Sequence, residues 1–234
     1  CAILHNCEGA AKVIEGIGLD NNIFLSFLPL SHAYEHTAGQ FLPIALGAEI
    51  RYAEGIEKLA SNMEETSPTI MVVVPRLFEM LRTRLTRQME KESPFKQKLF
   101  NLCIEIGTKR VKGIEPLTLS EKLVDWFLRM TVRKQVQKKF GGQVKALVSG
   151  GAPLAPDVGY FFSALGLPLL QGYGQTESGP VVSVNPPGAA RMHTVGKILD
   201  QTTVKIADDG EILIQGELVM QGYWQNETAT EKAI

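Results

Sequence analysis

Two short apolar runs, each closed by small residues and glycine, constrain this chain most. Val144-Lys145-Ala146-Leu147-Val148 has the make-up of a buried strand and runs into Ser149-Gly150-Gly151-Ala152-Pro153-Leu154, with a helix expected over residues 155–164. Pro168-Leu169-Leu170 reads as a second strand, and Gln171-Gly172 turns it into Tyr173-Gly174-Gln175-Thr176-Glu177-Ser178-Gly179. A strand, a turn of small residues and a helix N-terminus form a natural ligand edge in an open α/β sheet. Two strand ends of this kind in succession predict the opposite walls of one slot.

The residue types say what the slot suits. Gly172 and Gly174 let the backbone come close to a ligand or take positive φ. Between them Tyr173 offers a ring to stack on a flat base. Thr176 adds a hydroxyl suited to phosphate, and Glu177 a carboxylate suited to a hard cation such as Mg²⁺. Gly150 and Gly151 carry no side chain that would keep a planar ligand away. A flat base, a phosphate and Mg²⁺ together describe ATP. Taken alone, the heptapeptide fits a β-turn with a half-buried tyrosine and a surface glutamate equally well, because short motifs match by chance.

The remaining pattern gives the frame. Strands expected at residues 23–28, 49–53 and 69–74 alternate with helices at 2–14, 36–46 and 56–66. Such alternation predicts a mostly parallel sheet. Between residues 76 and 140 the strands stop, and Leu77, Leu81 and Leu85, then Leu123, Phe127 and Met130, keep helical spacing. After Asn185-Pro186-Pro187-Gly188 the pattern changes to short strands at 204–207 and 211–214, joined at Asp208-Asp209-Gly210. The expected architecture is α/β: layered, mostly parallel sheets with flanking helices, a helical insert and a small C-terminal antiparallel β unit. The larger part spans residues 1–185, and the start of the small β unit spans 186–234.

A near-neutral total, 24 Lys and Arg against 25 Asp and Glu, hides an asymmetry. The insert carries sixteen Lys and Arg against seven Asp and Glu, an excess of nine positive charges. A basic face of this kind suits anionic membrane lipid. It also suits a plain solvated helix surface. No nucleic-acid-binding motif accompanies the charge, so no nucleic-acid partner is expected. No apolar run is long enough to cross a bilayer. Three cysteines, Cys1, Cys7 and Cys103, are odd in number and lack metal spacing, which points to reduced thiols and a cytoplasmic setting. Peripheral contact with the inner membrane surface is compatible with that setting.

His32-Ala33-Tyr34-Glu35-His36 matches the H-x-x-E-H pattern of inverted zinc peptidases. In that reading the two histidines ligate zinc and Glu35 is the general base. The preceding Leu28-Pro29-Leu30-Ser31 instead sets His32 at the end of a strand and the start of a helix, where it either caps the helix or faces a substrate.

Four ordered segments carry a resemblance. Leu28-Pro29-Leu30-Ser31-His32, Ser149 to Leu154, Gly172 to Glu177, and Gly216-Glu217 through Gly222-Tyr223-Trp224 resemble the motifs of acyl-adenylate-forming enzymes, most of all long-chain fatty-acid–CoA ligases. The resemblance implies an AMP-forming acid–thiol ligase that uses ATP, Mg²⁺ and coenzyme A on a fatty acid. It implies that His32 faces the acyl carboxylate, that Thr176 donates to the α-phosphate and that Glu177 holds Mg²⁺. Tyr173 would stack on adenine, with Gly150, Gly151, Ala152 and Pro153 opposite and Gly172, Gly174 and Gln175 completing the loop. Tyr223 and Trp224 are expected to be packing residues. The family's phosphate loop would precede Cys1, and its ribose-binding Asp and mobile C-terminal domain would follow Ile234. The chain therefore reads as the middle of such an enzyme, with little turnover expected of it alone. An acyl-AMP ligase and a non-catalytic nucleotide- or lipid-binding module are the alternatives.

Overall fold

The strand Ile70–Val73 (β3) shows how the core is built. A computed structural model describes residues 2–18 and 20–234. All four residues of β3 are buried, because side chains alternate and both faces of the sheet are covered. Met71 and Val73 pack with Phe78, Phe161 and Phe162 on one face. Ile70 packs with Cys7, Ile14 and Phe24 on the other, where Val72 meets Tyr34 and Ala38.

Around β3 runs a seven-stranded sheet in the order β2-β1-β3-β4-β5-β6-β7. Glu49–Tyr52 (β2), Ile23–Ser26 (β1), β3, Ala146–Ser149 (β4) and Leu169–Tyr173 (β5) are parallel. Ser183–Val184 (β6) and Lys197–Ile198 (β7) add two antiparallel strands. A separate hairpin pairs Thr203–Ile206 (β8) with Ile212–Gln215 (β9). This is the expected mixed α/β architecture with a small antiparallel unit. The change in pattern at Pro186-Pro187 does not end the large sheet, because β7 lies beyond it and returns to pair with β6.

Ala2–Ile14 (α1) covers one face together with a π-helical stretch, Glu35–Phe41, that continues into Leu42–Ala45 (α2). Leu59–Thr66 (α3) leads into β3. The other face carries Pro156–Ala164 (α8) and the insert helices Pro75–Glu90 (α4), Pro94–Lys112 (α5), Leu119–Leu128 (α6) and Lys134–Lys139 (α7). Glu227–Ala233 (α9) follows the hairpin. Proline opens α4, α5 and α8, where its missing N–H costs no helical hydrogen bond. A capping box starts α6: the Glu121 N–H donates to Thr118 Oγ1 at 3.2 Å, and the Thr118 N–H donates to the Glu121 carboxylate at 2.8 Å. These bonds from Thr118, with Lys109 adding to them, hold the Glu121 carboxyl down to about 2.

Leu77, Leu81 and Leu85 turn inward as their spacing suggests. Leu123, Phe127 and Met130 lie on a helix as expected, yet they face outward. The inner face of α6 belongs to Val124 and Leu128. Asp125 accepts from the Arg133 guanidinium at 2.6 Å, and Arg133, only 2 % exposed, also donates through Nε to the Ala164 carbonyl at 2.7 Å. That buried arginine ties α6 to the end of α8. Cys7 and Cys103 are free and buried, and burial pushes the Cys7 thiol up to about 11. Cys1 lies outside the described residues. No described helix is long and apolar enough to cross a membrane.

Removing Arg133 takes the buried donor from the Ala164 carbonyl and empties its space in the core, while Asp125 keeps Arg110 at 3.0 Å. Arg133→Ala is expected to lower unfolding free energy by about 2–4 kcal/mol in urea titration. Unchanged stability would show that Arg133 does not hold α6 on the core.

Candidate active site

The parallel ladder of β4 and β5 sets Leu147, Val148 and Ser149 beside Leu169, Leu170 and Gln171. The two glycine loops therefore leave the sheet side by side at its carboxyl edge. A cavity of about 340 Å³ opens there. Gly150 and Gly151 line it from the first loop, and every residue from Gly172 to Glu177 lines it from the second. His32 stands at the same cavity. Ala152 and Pro153 are exposed on the loop and lie outside the lining.

Below these polar groups the cavity is apolar. Ala10, Val13 and Ile14 of α1, Phe24, Ile70, Val72, Val148 and Leu170 of the sheet, and Ala38 and Leu42 enclose it. The site therefore has two parts, a polar rim at the strand ends and an apolar channel between the sheet and α1.

Some glycines serve the protein's own packing. A Cβ on Gly150 would come within 2.9 Å of the Tyr34 ring, so the empty space there takes a tyrosine as well as leaving room for a ligand. Tyr34 is buried and donates its hydroxyl to the Val148 carbonyl at 2.9 Å. Burial drives its pKa upward. A Cβ on Gly174 would collide with the Pro180 carbonyl oxygen, and one on Gly172 would lie 2.9 Å from the Ser183 carbonyl oxygen. These glycines let β5 and its loop lie against the segment that returns as β6. The buried Asn6 of α1 pins that segment, donating to the Val181 carbonyl at 2.7 Å and accepting from the Val181 N–H at 3.3 Å.

His32 caps its helix and also borders the cavity. Its Nδ1 accepts from the Tyr34 N–H at 3.2 Å, which caps the following helical segment. In the neutral ring the proton then sits on Nε2, leaving a donor for a ligand in the cavity. Glu35 is fully buried. Ser26 Oγ donates to its Oε1 at 2.6 Å, and Oε2 has no partner. Burial, outweighing the bond from Ser26, pushes the Glu35 carboxyl up. His36 packs edge-on against Phe41 at 4.9 Å. The zinc-peptidase alternative fails on this geometry: Glu35 is sealed from solvent and His32 has spent Nδ1. Among the described residues no three His, Cys, Asp or Glu side chains gather as a metal site.

Glu177 is held from the other end of the chain. Tyr223 donates its hydroxyl to Glu177 Oε1 at 2.6 Å, and the Met220 N–H donates to the Glu177 carbonyl at 2.8 Å. The Tyr223 hydroxyl holds the Glu177 carboxyl below its usual value, so it is ionised at neutral pH. Tyr223 therefore touches a residue of the cavity rim without lining the cavity itself, and Trp224 is 89 % exposed. The separation of 46 residues between Glu177 and Tyr223 hid that contact. The residue pattern also passed over Tyr34, which lines the cavity. Gln171 Oε1, within β5, is buried without a hydrogen-bond partner and lies outside that lining.

The donor set suits a magnesium nucleotide. Mg²⁺ takes one or two protein oxygens and fills its shell with water and phosphate oxygens. One ionised carboxylate at Glu177 beside the exposed Thr176 meets that need.

Comparison with known proteins adds the family. A long-chain-fatty-acid–CoA ligase, FadD15, of Mycobacterium bovis is 30% identical over 234 residues, covering 99% of this chain and 38% of the relative. Long chain acyl-CoA synthetase 3 of Arabidopsis thaliana is 28% identical, covering 99% and 37%. This chain therefore spans somewhat over a third of the length of these relatives. In fold it is similar to the O-succinylbenzoate coenzyme A synthetase of Bacillus subtilis in complex with ATP and magnesium ion, with a TM-score of 0.63 at 16% identity over 98% of this chain and 40% of that one. It is also similar to the N-terminal domain of FACL13 from Mycobacterium tuberculosis, with a TM-score of 0.66 at 17% identity over 100% and 50%. The profile of the AMP-binding enzyme family matches residues 2–224 without leaving out either glycine loop, and this chain belongs to that family.

Proposed function

We propose that this chain carries the nucleotide wall and acyl channel of an ATP-dependent long-chain fatty-acid–CoA ligase. The observation that carries the reading is the continuity of the cavity, polar at Thr176 and Glu177 and apolar along Val72, Leu42 and Ile14. A fatty acid has the same two-part character. The names of the relatives support the substrate class.

The reaction has two steps. A carboxylate oxygen of the fatty acid attacks the α-phosphorus of ATP, forming an acyl-adenylate and releasing pyrophosphate. The thiol of coenzyme A then attacks the acyl carbon, and AMP leaves. The first step brings two anions together, so it depends on charge neutralisation and positioning. Mg²⁺ at Glu177 would supply positive charge to the phosphates. His32 Nε2–H would donate to the carboxylate. Thr176 would donate to the α-phosphate. Tyr173 would stack on adenine, against Gly150, Gly151, Ala152 and Pro153, with Gly172, Gly174 and Gln175 shaping the loop. The basic insert would meet anionic membrane, from which the acid is drawn.

Two tests apply in the enzyme extended to the length of its relatives. Glu177→Gln removes the charge while keeping the size, and should lower the adenylation rate about 100-fold or more, with a smaller change in ATP binding. Tyr173→Ala removes a surface shared by ground and transition states, so the KM for ATP should rise while kcat changes less. Near-normal kinetics in both variants would move the nucleotide site elsewhere.

Tyr223→Phe removes the hydrogen bond that lowers the Glu177 pKa. The carboxylate form of Glu177 is favoured above its folded-state pKa and is lost as pH falls through that value. The variant should therefore shift the Glu177 titration, followed by carboxyl-carbon NMR, to higher pH, and the acid limb of kcat/KM with it. An unmoved titration would remove Tyr223 from the site.

A further inference from the structure

Helix α6 has two apolar faces, and only one of them is used by the fold. Val124 and Leu128 pack on the core. Leu119, Leu123, Trp126 and Phe127 form the other face and are 81, 71, 64 and 47% exposed, and Met130, 52% exposed, follows them on the π-helical stretch Arg129–Arg133 that continues α6. At 100° per residue the four residues of α6 fall within one stripe about 100° wide. Single exposed apolar side chains are ordinary, but a contiguous patch of large ones marks an interaction surface.

The charges around the stripe select the partner. Both acids of α6 are neutralised by cations of the insert: Glu121 by Lys109 at 2.9 Å, and Asp125 by Arg110 at 3.0 Å and Arg133 at 2.6 Å. Lys122 and Arg129 are exposed. They are two helical turns apart along one edge of the stripe, and among the described residues neither has an ion-pair partner. The insert as a whole has sixteen Lys and Arg against seven Asp and Glu. A tryptophan and long apolar side chains bordered by Lys and Arg match the acyl and headgroup levels of an anionic leaflet.

We propose that α6 is the membrane-seating helix of this protein. Its stripe lies among lipid acyl chains, and Lys122 and Arg129 sit at the phosphate level. The assignment rests on the reading of the site as one that activates a fatty acid, and it turns a general basic contact into a defined inserted face.

The chain has two tryptophans, and Trp224 is exposed, so Trp224→Phe leaves Trp126 as the single reporter. Vesicles of phosphatidylcholine with phosphatidylglycerol should shift its emission to the blue, and lipids brominated in the acyl chain should quench it. Vesicles of phosphatidylcholine alone should bind weakly. Lys122→Gln with Arg129→Gln should weaken binding to anionic vesicles about 30-fold, from about 1 kcal/mol for each charge. Leu123→Ser with Phe127→Ser should weaken it at least about tenfold. Binding to anionic vesicles with Trp126 unshifted and unquenched would overturn insertion while leaving an electrostatic contact. A blue shift that grows with protein concentration and needs no lipid would assign the stripe to a second copy of this chain. A Trp126 already shielded in the enzyme extended to its relatives' length would assign it to the rest of that enzyme. Both outcomes overturn the proposal. Absence of binding to any vesicle would sink the membrane contact altogether and leave the ligase reading to the Glu177 and Tyr173 kinetics.

Discussion

The ladder between β4 and β5 decides both the core and the site. Its register puts Leu147 and Leu169 toward the insert helices, and Val148 and Leu170 toward the cavity. A slip of one residue would exchange the two faces, because strand side chains alternate. It would drive the cavity wall into the helical layer and pull the ladder's core leucines out of it. The same register brings Gly150 and Gly172 to one edge, where two loops can face a single ligand. The two loops therefore owe their placement to the apolar residues of the ladder.

A second layer of contacts holds the loops once the ladder has placed them. Gly174 admits the Pro180 carbonyl, Asn6 grips both polar groups of Val181, and Tyr223 holds the Glu177 carboxylate. These partners come from opposite ends of the chain and converge on one short loop. A fixed carboxylate suits a reaction governed by electrostatics, since charge that is already oriented needs no rearrangement as the transition state forms. The channel below is built differently, from alternate strand residues and from α1, and its wall is apolar.

The sequence made most of the frame legible, because long periodic segments announce themselves. The helix over residues 2–14, the βα alternation and the helical insert appear where their patterns put them. The polar rim of the cavity was legible through its glycines and through Tyr173 and Glu177, which the two strand ends bring together. Three things were not. The outward turn of Leu123, Phe127 and Met130 was hidden, since helical spacing gives a stripe without saying which way it faces. The buried Arg133 looked like one more surface cation of a basic segment. The run Asn185-Pro186-Pro187 looked like the end of a layer. Instead, Asn185 is buried: its N–H donates to the Gln171 carbonyl at 2.9 Å, and its Nδ2 donates to the Thr194 carbonyl at 2.8 Å, which folds the next segment back as β7. Each of these depends on a tertiary partner far along the chain, which local pattern does not contain.

The central claim is that one cavity holds an adenine nucleotide at the strand ends and an acyl chain beneath it. A crystal structure of the enzyme, extended to its relatives' length and bound to a stable acyl-adenylate mimic, tests this most directly. The account predicts the adenine ring on Tyr173 and the acyl chain running past Val72 toward Leu42 and Ile14. An adenine bound away from the β4 and β5 loops, or an acyl chain leaving the cavity on the insert side of the sheet, would contradict it.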